Sequence, residues 1–309
     1  MIDPHTFAPW VSAEAKAAFA RPEPAPPTGA DLAMLRAHYG DFNECMLDKA
    51  LAVYAVQIAE DEVAGVAVHR VTPAGGATDP RLLICLHGGA FMWGAGAGAL
   101  LEAVPLAATM GCEVIAVDYR LAPEHTYPAA VDDVLAVYRE ALSGRDGDAI
   151  GVYGCSAGGA LTAQAVAALI VGGEPRPGAI AMLHGTGLPF AGDAALTSGL
   201  FDPRGAPAEV PTADALPYFA TADLADPLVM PGEHPPVLAH FPPSLLVSGT
   251  RDFAASACAT MHRRLLAAGV EAQFVLFDGV GHAHHMDVAL PEAREAFALM
   301  ARFFDRHLR

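Results

Sequence analysis

The sequence predicts an α/β protein, with a mostly parallel sheet covered by helices on both faces. Three observations point to it. Short apolar runs recur along the chain, helical stretches separate them, and one run passes through a glycine-flanked turn directly into an alanine-rich helix. Strands buried on both faces read as continuous apolar runs, and strands alternating with helices are the order a parallel sheet requires.

The first fifty residues are helical in tendency but interrupted by Pro22, Pro24, Pro26 and Pro27, so short helices are expected around Ala13–Phe19, Asp31–His38 and Cys45–Gln57. From Glu62 the period changes, and Val63, Val66, Val68 and Val71 indicate one or two leading strands. Core strands are expected at Leu82–Leu86, Val114–Val117, Ile150–Tyr153, Ile180–Leu183, Ser244–Val247 and Ala272–Phe277. Helices fit between or after them at Gly98–Met110, Ala129–Leu142, Ala160–Val171, Ala254–Ala268 and Pro291–His307. Gly269 stands where a left-handed helix end would want it. One segment breaks the alternation. Leu188–Phe241 is rich in proline, aspartate and scattered aromatics and is too long for a plain connection. Together with the N-terminal fifty residues it is expected to cap the carboxyl edge of the sheet, where ligands bind in such folds. The expected division is a cap segment over 1–50, core over 51–187, a cap insertion over 188–241 and core over 242–309.

Composition supports one large core with additions. Hydrophobic residues make up 53% of the 309, enough to fill such a core, and the 17% of charged residues is too few for extensive disorder. The formal net charge of −17 excludes recognition of nucleic acid through its phosphates, which needs clustered Lys and Arg. No apolar stretch is long enough for a membrane span, and Met1-Ile2-Asp3-Pro4-His5 lacks the marks of a signal peptide, so a cytoplasmic protein is expected. Cys45, Cys85, Cys112, Cys155 and Cys258 are an odd number without metal-ligand spacing and read as reduced, mostly buried thiols.

The chemistry centres on Gly154-Cys155-Ser156-Ala157-Gly158. A serine in a sharp strand-to-helix turn needs glycines two positions either side, because side chains there would meet the neighbouring strand and helix. The helix that follows supplies free backbone N–H groups and its positive dipole end. With seven serines and 30 glycines in the chain, only about 0.07 chance matches to this spacing are expected. Cys155 adjoins Ser156, but its position in the turn points away, which gives it a packing role.

A serine hydroxyl needs a histidine to take its proton and a carboxylate to orient that histidine. The strand through Leu245-Leu246-Val247 ends at Ser248-Gly249-Thr250-Arg251-Asp252, and Ala272–Phe277 ends at Asp278-Gly279-Val280-Gly281-His282. Ser156, Asp252 and His282 therefore occur in the chain order of α/β-hydrolases, each at the carboxyl end of a strand. Asp252 also suits a helix N-cap, Asp278 competes as the acid, and His282 has His284 and His285 close by in the same loop. Asp252 is preferred because it comes from a separate strand edge. A third requirement is a set of donors for the oxyanion of a tetrahedral intermediate. His87-Gly88-Gly89-Ala90-Phe91 follows Leu82–Leu86, and its small residues let backbone amides approach a substrate alongside the amide of Ala157. His87 reads as a residue that holds this loop.

His87-Gly88-Gly89-Ala90-Phe91, Asp118-Tyr119-Arg120-Leu121-Ala122-Pro123-Glu124-His125, Gly154–Gly159, Gly249-Thr250-Arg251-Asp252 and Gly281-His282-Ala283 resemble the successive signatures of hormone-sensitive-lipase-like esterases, the bacterial family IV group. The resemblance runs from about Arg81 to the C-terminus. It implies an α/β-hydrolase core with a helical cap, no cofactor, and hydrolysis of small esters with short to medium acyl chains. It assigns Ser156 as nucleophile, Asp252 and His282 as its partners, and Gly88, Gly89 and Ala157 as oxyanion donors. It is also compatible with a homodimer through an exposed C-terminal strand edge. Two positions depart from the family pattern. Ala90 stands where a third glycine is common, which leaves open which two amides of residues 88–90 line the hole, and Cys155 stands where Asp or Thr is common. The Asp118–His125 stretch is implied to be a folding element, with Arg120 and Glu124 in internal ion pairs.

The same residues would also cleave an amide, lactone, thioester or carbamate, because fold does not select the bond. A small-molecule receptor of this architecture would be expected to lack a triad member, and an interfacial lipase would be expected to carry an amphipathic anchor. Phe91, Trp93, Tyr218 and Phe219 are candidates either for an apolar pocket or for core packing.

Overall fold

The computed structural model describes residues 6–20, 26–201 and 212–309. Pro22, Pro24 and part of the expected cap insertion lie outside them. Eight strands, β1 (Val56–Val63), β2 (Val66–Pro73), β3 (Asp79–Leu86), β4 (Cys112–Val117), β5 (Ile150–Cys155), β6 (Ala179–Leu183), β7 (Ser244–Gly249) and β8 (Ala272–Phe277), form one sheet in the order β1-β2-β4-β3-β5-β6-β7-β8. β2 runs antiparallel to β1 and β4, and every other pairing is parallel. Each core strand expected from the apolar runs is present.

Side chains alternate along each strand, so the sheet sorts its residues into two cores. Leu82, Ile84 and Leu86 of β3 face α4 (Ala129–Leu142), α5 (Ala157–Gly172) and α8 (Ala255–Ala267). Leu83 and Cys85 face α3 (Ala97–Met110), α9 (Pro291–His307) and α1 (Ala13–Ala20). α5 is apolar around most of its circumference, as a helix buried between sheet and neighbours must be. The chain reverses its direction of travel across the sheet at β3 and β5, whose carboxyl ends lie side by side. That is the crevice where parallel sheets place their ligands.

The structure corrects the expected N-terminal region in two respects. The helices expected at Asp31–His38 and Cys45–Gln57 are one element, α2 (Leu32–Val53), capped by the Asp31 side chain on the Met34 amide at 2.9 Å. Gly40 does not break it, because the helix buries Asn43, Met46 and Ala50 along one side, and this packing outweighs the local cost of one glycine. Val56 and Gln57 belong instead to β1, which pairs with β2 around an Ala64-Gly65 turn whose two residues both have positive φ. β1 is a solvent-exposed edge strand carrying Glu60, Asp61 and Glu62, so it lacks the apolar alternation by which a strand is read.

Between β6 and β7 the described residues form α6 (Asp193–Thr197), α7 (Pro235–Leu238) and short 3-10 turns, with no strand among them. Tyr218 stacks on Phe91 with ring centroids 3.9 Å apart, and Tyr127 donates its amide to Tyr218 O at 2.8 Å, so this segment is fixed to the loops after β3 and β4. No described helix is long and apolar enough to cross a membrane.

Phe297 of α9 is fully buried against the sheet. Phe297→Ala is expected to lower unfolding free energy by about 3–5 kcal/mol, measured by urea denaturation.

Candidate active site

Gly154 and Gly158 bring the serine turn against β3. A Cβ on either would collide with the backbone of Leu86, and one on Gly158 would also meet His87 O at 2.7 Å. Ser156 therefore sits at the tip of a turn too tight for larger flanking residues, with φ 55° and ψ −116°, while its amide donates to Leu183 O at 2.7 Å. A non-glycine residue in this region of backbone space is strained and is held there by its surroundings. α5 starts at Ala157, three residues earlier than the sequence suggested, so the amide of Ala157 is one of the unpaired donors of a helix start.

The structure brings the three separated residues into one line. His282 Nε2 is 3.0 Å from Ser156 Oγ, and His282 Nδ1 is 2.7 Å from Asp252 Oδ1. Because Oδ1 of a carboxylate only accepts, Nδ1 carries the proton and Nε2 presents its lone pair to the hydroxyl. The imidazole packs on Phe253 at 4.1 Å between centroids, which restricts its swing. Asp252 is buried and also accepts from Ser248 Oγ at 2.6 Å, His184 Nδ1 at 2.7 Å and the Ala254 amide at 2.9 Å. Burial pushes its carboxyl up, but the adjoining His282 and His184, through charge and hydrogen bonds, hold it well below the usual carboxylate range.

The competing residues lie elsewhere. Asp278 accepts from Trp10 Nε1 at 2.8 Å and Thr250 Oγ1 at 3.0 Å, away from His282. Cys155 is fully buried, and burial pushes its thiol up, so it offers no thiolate. Among the cysteines only Cys45 is exposed.

Gly88, Gly89 and Ala90 face the serine. A Cβ on Gly88 would lie 3.2 Å from Cys155 O and 3.4 Å from Ser156 Cβ, and Gly89 has φ 114°. Ala90, at the position often occupied by a third glycine, has φ 51°, a conformation glycine adopts with less strain. His87 donates from Nδ1 to Gly88 O at 2.7 Å and stacks on Tyr119, whose hydroxyl returns a bond to His87 O at 2.7 Å. This is the loop-holding role expected of it. In the Asp118–His125 stretch, Arg120 pairs with Asp133, while Glu124 pairs with Arg36 of α2. These contacts tie the loop to two helices and leave it out of the site.

Ser156, Ala90 and Phe253 lie at the junction of two lobes. One, of about 100 Å³, is lined by Leu188, Phe190, Leu216, Phe219, Val229 and Met230. Its wall is tied to α5 by Gln164 Nε2, which donates to Val229 O at 3.0 Å. The other, of about 390 Å³, is lined by Tyr39, Phe42, Asn43, Trp93, His282 and Met286. Phe91 and Phe219 thus border the first lobe and Trp93 the second, while Tyr218 is buried and borders neither.

The sequence reading did not pick out His184, which follows the end of β6 just as Ser156, Asp252 and His282 follow the ends of β5, β7 and β8. Its position was the available signal. The ring nitrogens of His184, His284 and His285 come within 4.8 Å of one another, as do the donor atoms of Glu102, Cys155 and His285. Among the described residues a third such group is His184, Asp252 and His282 themselves.

The α/β-hydrolase-fold family matches residues 83–286 of this sequence. LipR of Mycobacterium tuberculosis is 33% identical over 254 residues, 80% of this chain and 79% of LipR. The chain belongs to the α/β-hydrolase fold family, as a hormone-sensitive-lipase-like esterase. The crystal structure of esterase E25 superposes on this esterase with a TM-score of 0.85 at 31% identity, covering 100% of this chain and 99% of E25. A crystal structure of an esterase from the bacterial hormone-sensitive lipase family gives 0.82 at 27% identity, covering 96% and 99%.

Burial pushes His184 of this esterase down to about 4 from 6.5, against the pull of Asp252. Between those values the unfolded chain binds a proton that the folded chain does not. Stability therefore falls as pH drops from about 6.5 toward 4, by roughly 3 kcal/mol from this group alone. Calorimetry across that interval should show Tm falling with pH.

Proposed function

We propose that this esterase is a serine carboxylesterase for short- to medium-chain acyl esters, working through an acyl-enzyme intermediate. The observation that carries the reading is the unbroken Ser156–His282–Asp252 line at the junction of two lobes. His282 Nε2 takes the Ser156 proton as Oγ attacks the ester carbonyl. The oxyanion is held by the amide of Ala157 and those of Gly88 and Gly89. His282 then gives its proton to the departing alkoxide oxygen, and the alcohol leaves. Water deprotonated by His282 attacks the acyl-enzyme, and Ser156 is restored when the acid is released.

This proton transfer assigns the lobes. The leaving oxygen must reach His282, which lines the 390 Å³ lobe and not the smaller one, so the alcohol occupies the larger lobe and the acyl chain the smaller. A cavity of about 100 Å³ is smaller than the roughly 150 Å³ that admits benzene, which suits an acyl group of a few carbons. Tyr39 and Trp93, stacked at 4.6 Å, give the alcohol lobe an aromatic wall. The segment between β6 and β7, with the N-terminal residues through α2, acts as the cap, because it supplies these walls. Five free cysteines fit a reducing compartment such as the cytoplasm. β8 ends the sheet with Leu276 exposed and is the edge a homodimer would use.

Hydrolysis of p-nitrophenyl esters from acetyl to long acyl chains is expected to peak at short chains. Ser156→Ala should lower kcat by about 10⁶, and a fully active Ser156→Ala protein contradicts the reading. Leu216→Ala, which enlarges the acyl lobe, is expected to move the optimum toward longer chains, read as the ratio of kcat/KM for hexanoyl over acetyl ester.

A further inference from the structure

A line of buried polar groups continues behind Asp252 into the core. His184 is anchored by its own backbone. Its φ is 53°, its amide donates to Val247 O at 2.8 Å, and a Cβ on the following Gly185 would strike the backbone of Ser156. Its side chain is thereby held toward Asp252, with both side chains fully buried. Asp252 accepts, so His184 Nδ1 carries the proton and Nε2 presents its lone pair inward.

The two histidines divide the carboxylate between them. His282 takes Oδ1 and His184 takes Oδ2, so a turn of the carboxyl group that loosens one bond loosens the other. On the inner side, the His285 ring lies nearly parallel to His184, 9° between planes and 5.3 Å between centroids. His285 Nε2 is in turn 3.4 Å from Glu102 Oε1, and Glu102 is a fully buried carboxyl on the otherwise apolar helix α3. A buried carboxyl is costly without a polar partner, and His285 is set against it at ion-pair distance without a hydrogen bond between them.

We propose that His184 is a positioning residue for the Asp252 carboxylate, backed by His285 and Glu102, so that the line Glu102–His285–His184–Asp252 orients His282 from behind. The proposal rests on the reading of Ser156, His282 and Asp252 as the reacting groups. Other titratable groups facing this line are His284 of the loop after β8, Cys258 of α8, Cys155 and Tyr153 of β5 and Cys85 of β3. Burial pushes His284 down and the three thiols and the Tyr153 hydroxyl up, which keeps them uncharged and leaves the proposed line as the polar support of the carboxylate beyond Ser248 and the Ala254 amide.

Three side-chain changes test it, with Ser156→Ala run alongside on p-nitrophenyl acetate. None of His184, His285 and Glu102 lines either lobe. Losing a hydrogen bond to a charged group, His184→Phe is therefore expected to lower kcat by about 10- to 100-fold with KM held. His184→Asn, whose amide N–H reaches the place of Nδ1–H, should restore most of kcat. Glu102→Gln should lower kcat less than His184→Phe, again with KM held. Should His184→Phe fail to fold by circular dichroism, His184→Gln replaces it, since its longer amide misses Oδ2, and it should be more impaired than His184→Asn. The proposal is overturned by parental kcat in the donor-less variant, by no rescue from Asn, or by KM rising in step with the loss of kcat. An equivalent of tightly bound zinc in the purified protein would also overturn it, because the ring nitrogens would then be ligands. Retained activity in Ser156→Ala overturns the underlying triad reading instead.

Discussion

The serine turn lies against the end of β3 at backbone-to-backbone distance, and the rest of the site is arranged around that contact. Gly154 and Gly158 leave no side chain between the turn and Leu86, which holds the positive φ of Ser156 and sets the first amide of α5 beside the loop carrying Gly88 and Gly89. Hydrolysis of an ester needs a nucleophile and oxyanion donors within one small volume. Here two neighbouring strand ends at the reversal of the sheet bring the Ser156 turn and the Gly88-Gly89 loop together, without a long loop whose ordering would cost entropy.

Electrostatics supply the second constraint. Asp252 is removed from water, which by itself favours the neutral acid, yet two histidines, a serine hydroxyl and a backbone amide converge on it and keep it charged. A carboxylate so fully committed has little freedom to turn, and the orientation of His282 follows from it. The loop after β8 contributes at both ends of this arrangement, with His282 toward the serine and His285 toward Glu102. The core behind the site is polar along this line and apolar around it.

The lobes come from other parts of the chain. Residues between β6 and β7 build the smaller one, and α2 with the loop after β3 builds much of the larger. Strand ends hold the candidate triad, while segments without strands, held by contacts such as Phe91 on Tyr218 and Arg36 on Glu124, set the space around it.

The amino-acid sequence by itself determined the sheet and where the candidate triad stands along it. Continuous apolar runs mark strands buried on both faces, and Ser156, Asp252 and His282 each stand in the turn or loop that follows one of them. Local patterns failed where tertiary packing overrides them. α2 passes through Gly40 because its buried side rests on α3, and β1 is an acidic edge strand without apolar alternation, held by its ladder to β2. Only the tertiary structure decided that Asp252 rather than Asp278 meets His282, that Arg120 and Glu124 take different partners, and that His184, His285 and Glu102 gather behind the site. These choices depend on approaches between elements distant in sequence, and a contact of a few ångströms between strand ends leaves no periodicity in the chain from which it could be read.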